Sequence, residues 1–350
     1  MRRFSKSLCI ILSLLLVITS LSSCYILKES FNFGADATTD SGTESSENDN
    51  KNETAPPADD NTDSNEGDSG NETPPPSGEV PDPDEDDNTD ITVEKNKKVL
   101  LVSIDGMRAD AVLASKYANK LKQMSTYSTN ATTVYPSVTL PCHMSMQHGV
   151  SPSSHGVTTN TYTPSSKLVD GIAETLSQSG KTCAYFYNWG PLGDVIADNA
   201  LVKEKYISGD TYGWKQSNEA LAASCKEYLI NNDVDYTFLY LGCLDDVGHN
   251  YGWLSNQYNA ELDASLELVF DIMEVLSEEY TVIITADHGG HNKTHGSNSQ
   301  EDMTIPIFII GNDFEENKAI SNASILDIAP TVVSILGVAP QASWEGEVLK

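Results

Sequence analysis

Three short pieces of this 350-residue chain end an apolar run with a carboxylate, and two of them add histidine. Asp105 closes the run at 98–104 in S-I-D-G. Asp245 and, four residues on, His249 follow the run at 236–241 in L-D-D-V-G-H. Asp287 and His288 follow the run at 281–285 in T-A-D-H-G-G-H, with His295 shortly after in T-H-G-S-N. Carboxylate oxygens mixed with imidazole nitrogens at three strand ends are the donor set that a site for two divalent metals requires. A fourth piece, V-T-L-P-C-H at 138–143, puts Thr139 where a helix is expected to start. Taken singly, each piece has a plainer reading: aspartate after a strand is commonly a helix cap or turn former, and a threonine at a helix start is commonly an N-cap.

The elements that must position these groups are legible in the apolar pattern. Continuous runs rich in β-branched or aromatic residues at 98–104, 181–187, 236–241, 281–285 and 305–310 read as buried strands. Between them, 109–124, 216–230 and 257–276 carry apolar residues at helical spacing. Strands alternating with helices predict an α/β sandwich with a mostly parallel sheet, in which ligands collect at the carboxyl ends of the strands. The chemistry-bearing residues sit at those ends.

In order along the chain, I-D-G, T-L-P-C-H-M-S-M-Q-H-G-V-S-P-S-S-H-G, D-D-V-G-H, A-D-H-G-G-H and H-G-S-N resemble the motifs of the alkaline phosphatase superfamily, most nearly its type I phosphodiesterase and nucleotide pyrophosphatase branch. E-D-M-T-I-P-I-F-I-I-G and L-D-I-A-P-T-V-V-S-I-L-G-V are similar to its C-terminal strand and helix. The resemblance implies a three-layer α/β/α fold and two metal ions. One would be held by Asp105, Asp287, His288 and the Thr139 oxygen, the other by Asp245, His249 and His295. His291 is a rival to His295, while His143, His148 and His155 read as structural or as supports behind the ligands. Zinc is the first expectation for both ions because of the histidine content, with manganese second.

The same resemblance makes Thr139 the nucleophile, placed where free N–H groups and the helix dipole favour an incoming phosphate. The implied activity is hydrolysis of small phosphodiesters or phosphomonoesters through a phosphothreonine. Sulfatases carry C-x-P-x-R where this chain has Thr139 and His143, which makes sulfate ester hydrolysis the weaker reading. The branch usually has asparagine where Cys142 stands, so oxyanion binding is expected to lean on backbone N–H groups and metal. Two other readings remain open: a transferase passing the phospho-group to an envelope acceptor, and a non-catalytic lipoprotein that binds metal or an anionic ligand.

The ends of the chain concern address. Arg2, Arg3 and Lys6 precede a short apolar run, and L-S-S-C at 21–24 resembles the lipobox of bacterial lipoproteins. Residues 1–23 are therefore expected to be a signal peptide and Cys24 the lipidated residue. The product would be exported and anchored by acyl chains to the outer face of a bacterial membrane. Residues 24–95 read as a disordered linker: from 31 to 95 there are 20 acidic and 2 basic residues and too little apolar surface to offset ordering entropy.

Residues 96–350 are long enough for one well-cored catalytic domain. The net charge of −30 for the whole chain, without clustered lysine and arginine, argues against nucleic acid as a partner and leaves small anionic esters whose charge metal would balance. Cys142, Cys183, Cys225 and Cys243 lack C-x-x-C spacing and are expected to be buried free thiols.

Overall fold

The computed structural model describes residues 97–196 and 199–350. The expected signal peptide, Cys24 and the linker to residue 95 lie outside the described residues. Among the described residues no helix is long and apolar enough to cross a membrane.

The chain enters the fold through β1 (Lys98–Ile104), buried from its second residue onward, and continues into two short helices, α1 (Ala109–Ala114) and α2 (Ala118–Gln123). The single helix expected over 109–124 is broken at Ser115, whose backbone is extended. Its hydroxyl donates to Asp263 and accepts the Tyr117 N–H, so the side chain displaces the helical ladder. Then come β2 (Thr126–Thr132), α3 (Thr139–His148), α4 (Ile172–Gln178), β3 (Cys183–Tyr187), β4 (Lys203–Tyr206) and α5 (Trp214–Asn231). The last part holds β5 (Tyr236–Leu241), α6 (Cys243–Tyr251), α7 (Asn256–Met273), β6 (Tyr280–Thr285), β7 (Thr304–Ile310), β8 (Lys318–Ala319) and α8 (Ile328–Ile335).

The strands form one sheet in the order β4-β3-β5-β1-β6-β7-β2-β8. β1 runs parallel to both β5 and β6, and β3 runs parallel to β4 and β5, while β7 is antiparallel to both of its neighbours. Helices α3, α4 and α8 pack together in one group, and α1, α5, α6 and α7 in another. The predicted mostly parallel α/β sandwich is the fold observed. β3 begins at Cys183 rather than at 181, because Asp235 takes Thr182's N–H and hydroxyl together with the Lys181 ammonium. β2 escaped the apolar reading because its T-Y-S-T-N-A-T is mostly polar, although Thr126, Ser128 and Ala131 are buried.

The physical reason for the sheet is plain in β1, β5 and β6, where Val99, Leu100, Leu101, Val102, Leu239, Ile283 and Ile284 are fully buried. Each such side chain stabilises the fold by about 1.5–3 kcal/mol relative to exposure. Helix α3 is unusual in being buried at every position, so it passes through the interior and must satisfy its own polar groups. It does so with neighbours. His143 donates from Nδ1 to the Thr139 carbonyl and accepts the Ser103 hydroxyl at Nε2, and the His148 ring nitrogens face the carbonyls of Val169 and Val195. Ser145 bonds His155. The helix ends at Gly149, at φ 63°, where a Cβ would stand 2.7 Å from the Trp344 ring. Cys142, Cys183, Cys225 and Cys243 are all buried free thiols.

Candidate metal centre

Because β5, β1 and β6 are parallel neighbours, their carboxyl ends deliver Asp245, Asp105 and Asp287 to one edge of the sheet. Asp245 and His249 lie four residues apart in α6, which starts directly after β5, so both project from one helix face. Gly106, at φ 68°, allows the turn after Asp105, and a Cβ there would come within 3.1 Å of the Asp245 carboxylate. The close approach of β1 to α6 requires glycine.

The inner group is Asp105, Asp287 and His288. His288 Nδ1 donates to the Gly289 carbonyl at 2.8 Å, which leaves Nε2 as the bare lone pair. Three oxygens surround that nitrogen at 3.3 Å each: Asp105 Oδ1, Asp287 Oδ2 and Thr139 Oγ1. The outer oxygens of the two carboxylates are held elsewhere, Asp105 Oδ2 by the Tyr240 hydroxyl and Asp287 Oδ1 by the Gly106 N–H at 3.1 Å.

The outer group is Asp245, His249 and His295. His249 Nε2 lies 3.4 Å from Asp245 Oδ2, and His295 Nε2 lies 3.7 Å from Asp245 Oδ1. Their Nδ1 atoms donate to backbone carbonyls, those of Lys293 at 3.0 Å and Ser137 at 2.9 Å. The inner group is sealed, with His288 at 0% exposure, whereas His249 is 42% exposed and opens the outer group to solvent.

The residues present fit divalent cations. All three imidazoles have Nδ1 engaged by a carbonyl and Nε2 turned toward carboxylate oxygen, the arrangement by which proteins orient metal-ligating histidines. Asp105 Oδ1, Asp245 Oδ1 and Asp287 Oδ2 are buried without a hydrogen-bond partner among the described residues, and these are the oxygens that face the ring nitrogens. A lone pair facing a carboxylate in a dry interior is repulsive unless a cation lies between them.

The electrostatics agree. Burial, then the charges of Asp287 and Asp245, push the Asp105 carboxyl well up, and burial likewise raises that of Asp287. For Asp245 burial opposes ionisation, but the His249 contact, with the neighbouring His288 and His295 imidazoles, outweighs it and holds its pKa below the ordinary range. Burial, then the neighbouring His288, brings His295 down to about 4, so its ring is a neutral donor.

The structure therefore brings all seven expected site residues together, and it separates His291 from them. His291 turns Nδ1 to the buried Asp302 at 2.7 Å and belongs to neither group. Thr139 is not an N-cap: Val138 holds that position, and the Thr139 hydroxyl faces His288 instead. Cys142 is directed into the interior toward the Thr133 hydroxyl.

Sequence reasoning missed two residues. Tyr240 looked like strand core. Asn160, in a loop without a motif, accepts the Leu140 N–H at 2.9 Å and so brings a side-chain amide to the start of α3. Only the fold could reveal either, since their partners lie 135 and 20 residues away.

Residues 99–301 match the family described as type I phosphodiesterase / nucleotide pyrophosphatase. The chain is 26% identical over 229 residues to the mouse ectonucleotide pyrophosphatase/phosphodiesterase family member 7, covering 57% of this chain and 52% of that protein. It thus spans about half the length of the curated relatives it matches. Murine ectonucleotide pyrophosphatase/phosphodiesterase 5 shares the fold with a TM-score of 0.59 at 14% identity, over 70% of this chain and 96% of that one. The phosphonate monoester hydrolase of Agrobacterium radiobacter does so at 0.57 and 14%, over 72% and 75%.

Proposed function

Since the chain belongs to the type I phosphodiesterase / nucleotide pyrophosphatase family, we propose that it is a two-metal hydrolase of small phosphate esters that works through a phosphothreonine at Thr139. The observation that carries this reading is the position of the Thr139 hydroxyl, 3.3 Å from His288 Nε2 at the inner group whose inward oxygens lack partners.

Asp105, Asp287, His288 and the Thr139 oxygen would hold one ion, and Asp245, His249 and His295 the other. Zinc suits the imidazole share of the ligands, and manganese is the second choice. Two bound ions would supply Lewis-acid charge that favours the ionised hydroxyl, neutralises the phosphoryl oxygens and activates the water of the second step.

Thr139 Oγ forms a bond to phosphorus as the bond to the ester oxygen breaks in line behind it; water then takes the phosphoryl group and restores the hydroxyl. At the start of α3 the Thr139 N–H is left for the same phosphate, since the Leu140 N–H bonds Asn160 Oδ1, Pro141 has none and the Cys142 N–H bonds the Val138 carbonyl. The backbone thus gives less than the sequence predicts, and the Asn160 amide nitrogen would supply a second donor. Tyr240 holds the Asp105 carboxylate so that only one of its oxygens faces inward. The exposure of His249 marks the side from which ester and water enter.

The same open side would admit an acceptor alcohol in place of water, which is the specific support for a phosphotransferase as the second reading. The basic start at Arg2, Arg3 and Lys6, the short apolar run after it and the L-S-S-C segment support an exported, lipid-anchored protein attached through Cys24.

The test uses the full-length chain, stripped of metal and reloaded with zinc or manganese. It is assayed on bis-p-nitrophenyl phosphate, p-nitrophenyl phosphate and p-nitrophenyl sulfate beside Thr139→Ala. Metal-dependent diester turnover that vanishes in the variant is the expected result, and a monoester preference would make the protein a phosphatase. Turnover of none of the three by folded, metal-loaded protein would move the transferase or the non-catalytic binding reading ahead. A variant as active as the parent would remove Thr139 from the chemistry.

A further inference from the structure

The loop that carries His295 is closed by one buried carboxylate that touches neither metal group. Asp302, fully buried, accepts His291 Nδ1–H at Oδ1 (2.7 Å) and both the N–H (2.8 Å) and hydroxyl (2.7 Å) of Ser297 at Oδ2. These two partners lie four residues before and two residues after His295. The clasp extends further: the Ser297 carbonyl accepts the Ser137 hydroxyl at 2.7 Å, and the Ser137 carbonyl is the acceptor that orients His295 Nδ1.

Asp302, Ser297, Ser137 and His295 thus form one chain of hydrogen bonds that ends on the imidazole facing Asp245. Ser137 also stands two residues before Thr139, so the same chain reaches the turn from which the nucleophile projects. The inner group has separate supports in β1, β6 and Tyr240.

We propose that Asp302 is the positioning residue of the outer metal group: by clasping His291 and Ser297 it holds the loop so that His295 meets Asp245, and through Ser137 it sets the ring's orientation. The inference rests on the reading of Asp245, His249 and His295 as metal ligands. It assigns His291, the rival ligand of the sequence, the role of a strut.

In Asp302→Asn the charge that strengthens both arms of the clasp is lost, and the His291 arm either opens or survives only with the imidazole proton moved to Nε2. Loss of a hydrogen bond that supports a metal ligand weakens metal binding by about 10–100-fold. The loss should fall mainly on the outer group, because the Gly289 N–H beside His288 bonds the Asp302 backbone carbonyl, which the substitution keeps.

The experiment is a Zn2+ titration of the stripped full-length chain against a chromophoric chelator, repeated with Co2+ by visible absorption. The parent is expected to bind two ions. In Asp302→Asn one step weakens by about tenfold or more while the other stays within about twofold, and His295→Ala loses the same step. Ser137→Ala, which keeps the carboxylate and removes only the Ser137 to Ser297 bond, covers the case in which Asp302→Asn does not fold. It should weaken that step by about fivefold, one ordinary hydrogen bond. Asp327→Asn, a remote carboxylate that accepts the Ser324 and Glu347 N–H groups, should change neither step.

Equal weakening of both steps, or no change in either Asp302→Asn or Ser137→Ala, overturns the positioning role while leaving the two-metal reading intact. A parent that binds no second ion overturns that reading and this inference with it.

Discussion

The imidazole of His288 lies flat on that of His295, with ring centroids 3.7 Å apart and planes inclined by 13°. One ring belongs to the sealed group and the other to the open group, so the two candidate ions would share a wall of stacked histidine. Two cationic imidazoles could not occupy these positions together, and burial lowers the pKa of both. Burial thus favours neutral imidazole at His288 and His295, while contact with Asp245 raises the pKa of the more exposed His249.

Thr139→Ala is expected to lower turnover by more than about 10³-fold with the Asp105, Asp287 and His288 ligands of the inner ion left in place, because the hydroxyl is asked to form the bond to phosphorus. Mass spectrometry of quenched protein under turnover should show a phosphorylated Thr139 in the parent and none in the variant. Unmodified parent enzyme throughout turnover would point to direct attack by water.

Asn160→Ala removes the side-chain amide at the start of α3 and touches no candidate metal ligand. Loss of one oxyanion donor costs about 10²–10³-fold in kcat. Steady-state kinetics should show that fall at unchanged metal stoichiometry. An unchanged kcat would limit Asn160 to capping the Leu140 N–H.

Asp105→Asn should separate stability from binding. The buried Asp105 carboxylate is disfavoured by burial and by Asp287 and Asp245, so its replacement relieves repulsion in the metal-free protein. Calorimetry at pH 8 is expected to show the stripped variant melting above the stripped parent by about 2–4 °C, near 1 kcal/mol. Added zinc should raise Tm in the parent far more than in the variant. A variant that melts lower when stripped and still responds fully to zinc would contradict the assignment.

Asp235 ties the start of β3 to β5 and supplies the pH dependence easiest to isolate. Burial opposes its ionisation, but the N–H and hydroxyl of Thr182 and the Lys181 ammonium outweigh it and keep its pKa below the ordinary range. A carboxyl lowered by folding contributes stability that is full above its unfolded pKa of about 3.9 and lost as pH falls through the folded value. Asp235→Asn should therefore lower the urea midpoint at pH 7, and the gap to the parent should narrow as pH drops below about 4. A gap that persists undiminished at low pH would show that ionisation of Asp235 is not its source.

The chain by itself determined the candidate ligands and the sheet that presents them. Each of Asp105, Asp245 and Asp287 closes a continuous apolar run, His249 follows Asp245 at helical spacing, and Thr139 opens a helix. These signals are local, carried by burial and backbone period within a few residues. The tertiary structure decided what lies beyond that range. It separated His295 from His291, four residues apart in one loop, because the Ser137 carbonyl holds the His295 ring toward Asp245 while the Asp302 carboxylate takes that of His291. It brought Tyr240 and Asn160 to the site, broke the helix at Ser115 by a bond to Asp263, and paired the mostly polar β2 with β7. In each case the partner is distant in sequence, and a buried polar group takes whichever partner the packed chain sets within hydrogen-bond reach.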